Sequence, residues 1–213
     1  MQLNENGLKD REKWESAGYR LPGFDRIKVA EETKKDPFWI HFGAGNIFRA
    51  FQANVVQELL DSGDLDRGLI AAEGYDYEII EKMNHPHDDL SILVTLKADG
   101  NIEKTVVGSV VESLILDSEN TAQFSRLKEI FANAGLQMAT FTITEKGYSL
   151  TDGRGLPLAD VTADMENGPE KPGSYIGKVV SLLHTRYASG GTPIAMVSMD
   201  NCSHNGDKLR SAV

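Results

Sequence analysis

Three stretches of the chain carry residue types that chemistry needs. The first is Gly43-Ala44-Gly45-Asn46-Ile47. Two glycines one residue apart allow a tight turn and let backbone N–H groups approach a pyrophosphate. The position of a third glycine in the usual fingerprint is taken by Phe48, so the pair alone is also compatible with a tight connection that holds no ligand. The second is Asp76, a carboxylate that can accept hydrogen bonds from the adenosine ribose hydroxyls and repel a 2′-phosphate, which selects NAD as cofactor. It stands further from the glycines than the roughly 20 residues of the simplest arrangement. Glu73 is an alternative for the role, and Asp76 could equally cap the helix that follows it. The third set is Thr144, Glu145 and Asn201, each just beyond an apolar run. The Asn201 amide is a neutral hydrogen-bond donor whose capacity does not change with pH. The structural alternatives are that Asp200-Asn201 caps a helix beginning near Asn205 and that Lys146-Gly147-Tyr148 is an ordinary turn.

These residues need a scaffold, and the pattern supplies one. Residues 1–36 are polar and irregular, with Trp14, Tyr19, Leu21, Phe24 and Ile27 as apolar anchors, and read as an N-terminal extension that docks on the body. Residues 37–213 read as one NAD-binding domain. Residues 37–42 form a strand-like run ending at the glycines, and residues 46–60 place Ile47, Phe51, Val55, Leu59 and Leu60 at helical spacing. Residues 68–72 are a second buried strand, which closes a parallel strand-helix-strand unit. Residues 79–83 suggest a short helix. Asp99-Gly100 between residues 90–96 and 102–107 is a hairpin signal, read as an inserted or edge element that residues 110–116 extend. A helix over 121–134, a strand over 136–144, a helix over 175–187 and a buried strand over 193–199 follow, with residues 151–173 as a long surface loop. The alternation gives an α/β fold, a doubly wound, mostly parallel Rossmann-type sheet with an inserted or edge β-hairpin. Thr144, Glu145 and Asn201 then sit at carboxyl ends of strands, where open α/β sheets bind ligands.

Composition removes several function classes. Of 213 residues, 32 are acidic and 22 basic, a net charge of -10 that repels a nucleic-acid backbone. No apolar run approaches the roughly 20 residues of a membrane span, and the N-terminus lacks a signal-peptide layout, so a cytoplasmic location is expected. A single cysteine, Cys202, excludes an intrachain disulfide and lacks a base partner for nucleophilic work. His85 and His87 flank Pro86 ahead of Asp88-Asp89, a composition read as a solvated loop, and no metal is expected. His41, inside an apolar run, reads as structural.

The segments 41–53 (His41-Phe42-Gly43-Ala44-Gly45-Asn46-Ile47-Phe48-Arg49 onward), 142–148 (Thr142-Ile143-Thr144-Glu145-Lys146-Gly147-Tyr148) and 198–206 (from Ser198-Met199-Asp200-Asn201) occur in order. Together they resemble the long-chain mannitol dehydrogenase family, which includes fructuronate reductases (mannonate oxidoreductases), over roughly residues 36–213. The resemblance implies pyrophosphate contact at Gly43, Ala44, Gly45, Asn46 and Ile47, ribose recognition at Asp76, contacts near substrate or nicotinamide at Thr144 and Glu145, and a catalytic hydrogen bond from Asn201. It also implies a second, helical domain carrying a lysine acid/base, which this sequence does not contain. Ile47-Phe48 stands where many members have Phe-His, which puts a role specific to that histidine in doubt. The expected activity is hydride exchange between NAD and a keto sugar acid or ketose, fructuronate and mannonate before mannitol and fructose. Expected partners are a small sugar acid or polyol and the C-terminal domain, with self-association of this part through its uncovered apolar surface. The rival from another class is a dinucleotide-sensing module without chemistry, which would have no use for Asn201.

Overall fold

The computed structural model describes residues 1–213. Contacts divide them into two compact units: one comprises Met1–Pro37, Ala44–Ala71 and Asp76–Ser113, the other Phe38–Gly43, Ala72–Tyr75 and Leu114–Val213. In chain order the elements are α1 (Glu5–Leu8), α2 (Arg11–Ser16), β1 (Tyr19–Arg20), α3 (Arg26–Lys35), β2 (Trp39–Phe42), α4 (Asn46–Ala50), α5 (Gln52–Ser62) and β3 (Leu69–Glu73). A π-helical turn over Ile79–Asn84 and a 3₁₀ turn over His85–His87 lead to β4 (Ser91–Leu96), β5 (Ile102–Val107) and β6 (Val110–Ile115). Then come α6 (Thr121–Ala132), β7 (Met138–Phe141), α7 (Thr144–Gly147), α8 (Ala159–Asn167), α9 (Tyr175–Ala188), β8 (Ala195–Ser198) and α10 (Asn205–Ala212). No helix is long and apolar enough to cross a membrane.

Five strands form one sheet in the order β6-β3-β2-β7-β8, and three form another in the order β1-β5-β4. The β2–β7 and β7–β8 pairs are parallel, with Phe42 opposite Phe141 and Phe141 opposite Ser198. The hairpin of β4 and β5 is an insertion, paired in its own sheet with β1 from the N-terminal segment. Strand β6 does not extend it but joins the five-stranded sheet. Burial explains the difference: β4 alternates half-buried and exposed residues, as a strand with one wet face must, whereas β6 is almost wholly buried, as an interior strand must be.

In the first unit Trp14, Leu21, Leu90 and Val106 make a core cluster that Leu3, Leu8 and Tyr19 cover. The Arg26 guanidinium adds a polar tie, donating to the carbonyls of Gly108 and Val110 at 2.9 Å each and pairing with Glu5. The helix expected over 46–60 is two helices broken at Phe51, whose ψ of -75° departs from helical values. Of the expected apolar face only Leu60 is turned inward. Ile47, Phe51, Val55 and Leu59 are exposed, while Phe48, Gln52, Ala53, Val56, Gln57 and Leu60 are buried. Gln57 tolerates burial because its amide donates to the Val106 carbonyl at 3.0 Å and accepts from the Gly108 N–H at 2.8 Å.

In the second unit Phe42 stacks on Phe141 with ring centroids 4.9 Å apart and meets Phe131 at 6.1 Å. The Arg186 side chain, buried near the end of α9, donates to the carbonyls of Phe131, Asn133, Leu136, Thr192 and Pro193, which fixes both turns beside it. Gly190 and Gly191 end that helix with positive φ. The stretch 151–173 is not all loop, because it contains α8; only Val161 of that helix is buried, so it lacks the apolar stripe that marks a helix in sequence. Strand β8 is half-exposed rather than buried, since it is the last strand of its sheet.

Candidate functional site

The turn after β2 uses its two glycines for different reasons. Gly43 has φ +108°, and a Cβ there would lie 2.3 Å from the Thr142 carbonyl oxygen, so the protein itself demands glycine. Its N–H donates to the Ala72 carbonyl at 2.8 Å. Gly45 has φ -71° and a Cβ there would meet nothing within 4 Å, so neither conformation nor packing requires glycine, and its bare face borders open space. Beneath the turn runs a chain of donors. Trp39 Nε1–H donates to Thr140 Oγ1 (2.7 Å), which serves His41 Nδ1 (2.6 Å); His41 Nε2–H donates to Thr142 Oγ1 (2.8 Å), which reaches the Gly43 carbonyl (3.4 Å). Burial holds the His41 imidazole far below its ordinary value, at about 3, so the ring is neutral and structural, as its apolar surroundings suggest.

The rest of the turn belongs to the first unit. Ala44 is buried and Asn46 and Ile47 are exposed. The first N–H bonded inside α4 is that of Arg49, to the Gly45 carbonyl at 3.2 Å, which leaves the N–H groups of Asn46 and Ile47 without an intrahelical acceptor. Arg49 Nη2 donates to Asn46 Oδ1 at 2.6 Å, and both residues line a cavity of about 430 Å³ together with Lys82 and His87. His85 and His87 spend a ring nitrogen each on the carbonyls of Ser113 (3.0 Å) and Leu3 (2.8 Å). Asp76 is exposed and its carbonyl accepts from the Ile79 N–H at 3.1 Å.

Where the chain leaves β3, Glu73 is the last strand residue, 6% exposed, with Oε1 accepting from the Tyr75 N–H at 2.9 Å. Gly74 follows because a Cβ there would press 2.5 Å from the ring of Tyr175. The Tyr75 and Tyr175 rings stack at 4.8 Å. Burial first, then the Glu73 charge, pushes both phenols upward, so they stay protonated, and the buried Tyr175 hydroxyl has no hydrogen-bond partner. A cavity of about 270 Å³ opens here, lined by Gly74, Tyr75, Gly147, Tyr175 and Lys178.

The ends of β7 and β8 are bound to each other. Ile143 N–H and Thr144 N–H both donate to the Asp200 carboxylate, at 3.0 and 2.9 Å, and Tyr148 Oη–H donates to it at 2.6 Å. Tyr148 has one hydrogen and gives it to the carboxylate, so Ser198 Oγ–H is the donor in the 2.8 Å contact between the two hydroxyls. Burial and then the bond to Asp200 push the Tyr148 phenol well above its ordinary value. Thr144 adopts φ +63°, uncommon for a β-branched residue. Next to it Glu145 pairs with Lys208 of α10, and that bond draws its carboxyl below the ordinary range. Asn201 is exposed, beside the clasped Asp200.

Thr144 is thus tied to Asp200 and Glu145 to Lys208, while Asn201 is the exposed chain neighbour of Asp200. Asp200 does not cap α10, which begins at Asn205 after His204 in the left-handed region without a side-chain cap. Nothing local in the sequence marks Asp200 as a clasp or Tyr148 as its donor. Both stand inside the motifs, and only the fold brings their two segments together.

Residues 38–213 match the family described as Mannitol dehydrogenase Rossmann domain. The chain is similar to a D-mannonate oxidoreductase of Thermotoga maritima, 48% identical over all of this chain and 39% of that protein. It is also similar to a polyol:NADP oxidoreductase of Gluconobacter oxydans, 31% identical over 83% of this chain and 36% of that protein. Among solved structures, Pseudomonas fluorescens mannitol 2-dehydrogenase in ternary complex with NAD and D-mannitol superposes with a TM-score of 0.80 at 25% identity, covering 100% of this chain and 41% of that one. The chain thus spans about two fifths of the length of the relatives it matches. The chain belongs to the mannitol dehydrogenase family and carries its Rossmann domain.

Proposed function

We propose that this chain is the nucleotide-binding part of an NAD-dependent oxidoreductase that exchanges hydride with a keto sugar acid or ketose, fructuronate to mannonate first and fructose to mannitol second. The observation that carries the reading is Gly45, a glycine that the protein's own conformation and packing do not require, in the turn between strand and helix. The need for it lies with what approaches from outside. The identity to a D-mannonate oxidoreductase supports the sugar-acid choice.

In this reading Gly43 and the buried Ala44 shape the turn, and Gly45, Asn46 and Ile47 present backbone to the pyrophosphate, with the N–H groups of Asn46 and Ile47 as donors. Asp76 or Glu73 accepts from the ribose hydroxyls, and its charge disfavours a 2′-phosphate; the strand-end position of Glu73 supports it beside Asp76. When bound, the nicotinamide supplies or removes the hydride. Asn201 donates to the reacting oxygen, Thr144 and Glu145 border it, and the proton is handled by a lysine of the second domain that the resemblance implies. That domain and the sugar are the partners, and the outward stripe of Ile47, Phe51, Val55 and Leu59 is apolar surface for added protein to cover.

The test is calorimetric titration of the protein with NADH and with NADPH, alongside Asp76→Ala and Glu73→Ala. NADH is expected to bind more tightly, and whichever carboxylate recognises ribose should, when removed, narrow the preference by about tenfold or more. Tighter binding of NADPH would overturn the cofactor assignment. Reduction of fructose but not fructuronate by the protein at its natural length would reverse the order of substrates.

A further inference from the structure

The bonds at Asp200 are more than a local tie. Ile143, with φ -115° and ψ 7°, followed by Thr144 at φ +63°, turns two successive N–H groups to one side, and such a pair forms a concavity that binds an anion. The anion in it is the protein's own: the Asp200 carboxylate, 3.0 and 2.9 Å from those nitrogens. Oδ2 also takes the Tyr148 proton, and Ser198, the last residue of β8, braces the Tyr148 hydroxyl in turn. The carboxylate thus fastens the segment that leaves β7 to the segment that leaves β8. Its neighbour along the chain is Asn201. The Asp200 carbonyl is held as well, accepting from Cys202 N–H at 2.9 Å and Asn205 Nδ2 at 3.0 Å, so side chain and backbone of Asp200 are both fixed.

We propose that Asp200 is a positioning residue: its carboxylate, seated on the Ile143 and Thr144 amides, holds Thr144 in the left-handed region and fixes where the neighbouring Asn201 presents its amide. This rests on the reading of Asn201 as the donor to the reacting oxygen. The seat is specific for a carboxylate because all three partners are donors, and an ionised carboxyl group is acceptor only. Asparagine at position 200 would turn an NH₂ toward N–H groups and lose that match. The effect on reaction is geometric. A shift of about 1 Å at a reacting group costs on the order of 10²-fold in rate, whereas a cofactor held by the turn after β2 is untouched.

The experiment compares wild type with Asp200→Asn, and with Tyr148→Phe as the milder variant that removes one donor and keeps the amide seat. Hydrogen exchange at Ile143 and Thr144 is read by NMR; kcat, KM for the keto substrate and Kd for NADH are read on the protein at its natural length, per mole of folded protein. The expected result is faster exchange at both amides in Asp200→Asn, kcat lower by about 10²-fold, Kd for NADH within threefold of wild type, and an intermediate fall in kcat for Tyr148→Phe. Exchange unchanged in Asp200→Asn would overturn the seat. Faster exchange with kcat unchanged would overturn the positioning role, since a purely structural residue lowers stability and not turnover per folded molecule. Wild type without activity on any ketose or keto acid would instead refute the functional reading, and the clasp would stand or fall on the exchange data and on whether the Asn201 side-chain amide gains mobility in Asp200→Asn.

Discussion

The turns after β2 and after β7 both need a residue in the left-handed region, and they obtain it by opposite means. At Gly43 the side chain is missing, because a Cβ would run into the Thr142 carbonyl. At Thr144 a β-branched residue is kept there while its N–H bonds a carboxylate from the segment that leaves β8. The first solution is built into one residue and cannot be lost without changing it. The second is distributed over Asp200, Tyr148 and two amides, and is therefore open to adjustment. The lesson is that the same backbone conformation can be a fixture in one turn and a held state in its neighbour.

The comparison can be broken most severely at Gly43. Gly43→Ala combines a positive φ of +108° with a 2.3 Å clash against backbone, and should cost about 3 kcal/mol or more in chemical denaturation. A loss within experimental error would mean that the turn relaxes freely.

Next in size is the pH response of His41, the ring that links the two turns through Thr140 and Thr142. Its folded value of about 3 lies below the unfolded value of 6.5, so between them the unfolded chain binds the extra proton. Its stabilising contribution is complete above about pH 6.5 and falls by about 1.4 kcal/mol for each pH unit below it. Urea midpoints measured from pH 7 to pH 5 should show this slope, and His41→Gln should remove it. An identical slope in the variant would assign the acid sensitivity elsewhere.

How much of this was legible in the sequence varies with the physics. Gly43-Ala44-Gly45 after an apolar run announces a strand and turn, because glycine need is local, and the alternating order of elements gave the parallel sheet. The face of α5 was misjudged. Ile47, Phe51, Val55 and Leu59 lie one turn apart and look like a core stripe, yet the buried side contains Gln52 and Gln57, and the bonds of Gln57 to Val106 and Gly108 are not local. The clasp was hidden for the same reason, since Asp200 and Thr144 are distant in sequence and only the parallel pairing of β7 with β8 brings them together. Strand β6 follows the hairpin directly in the chain, yet its nearly continuous burial sets it with the five-stranded sheet.

The most direct test of the central claim sits at the other glycine of the turn. Gly45→Ala meets no atom within 4 Å and has an ordinary φ, so its stability should stay within about 0.5 kcal/mol of wild type. Calorimetric titration with NADH should nonetheless show affinity lower by about tenfold or more if, as proposed, the dinucleotide backbone approaches the face that the added methyl would occupy. Undiminished NADH affinity in a stable Gly45→Ala protein would contradict the assignment of this turn as the cofactor site.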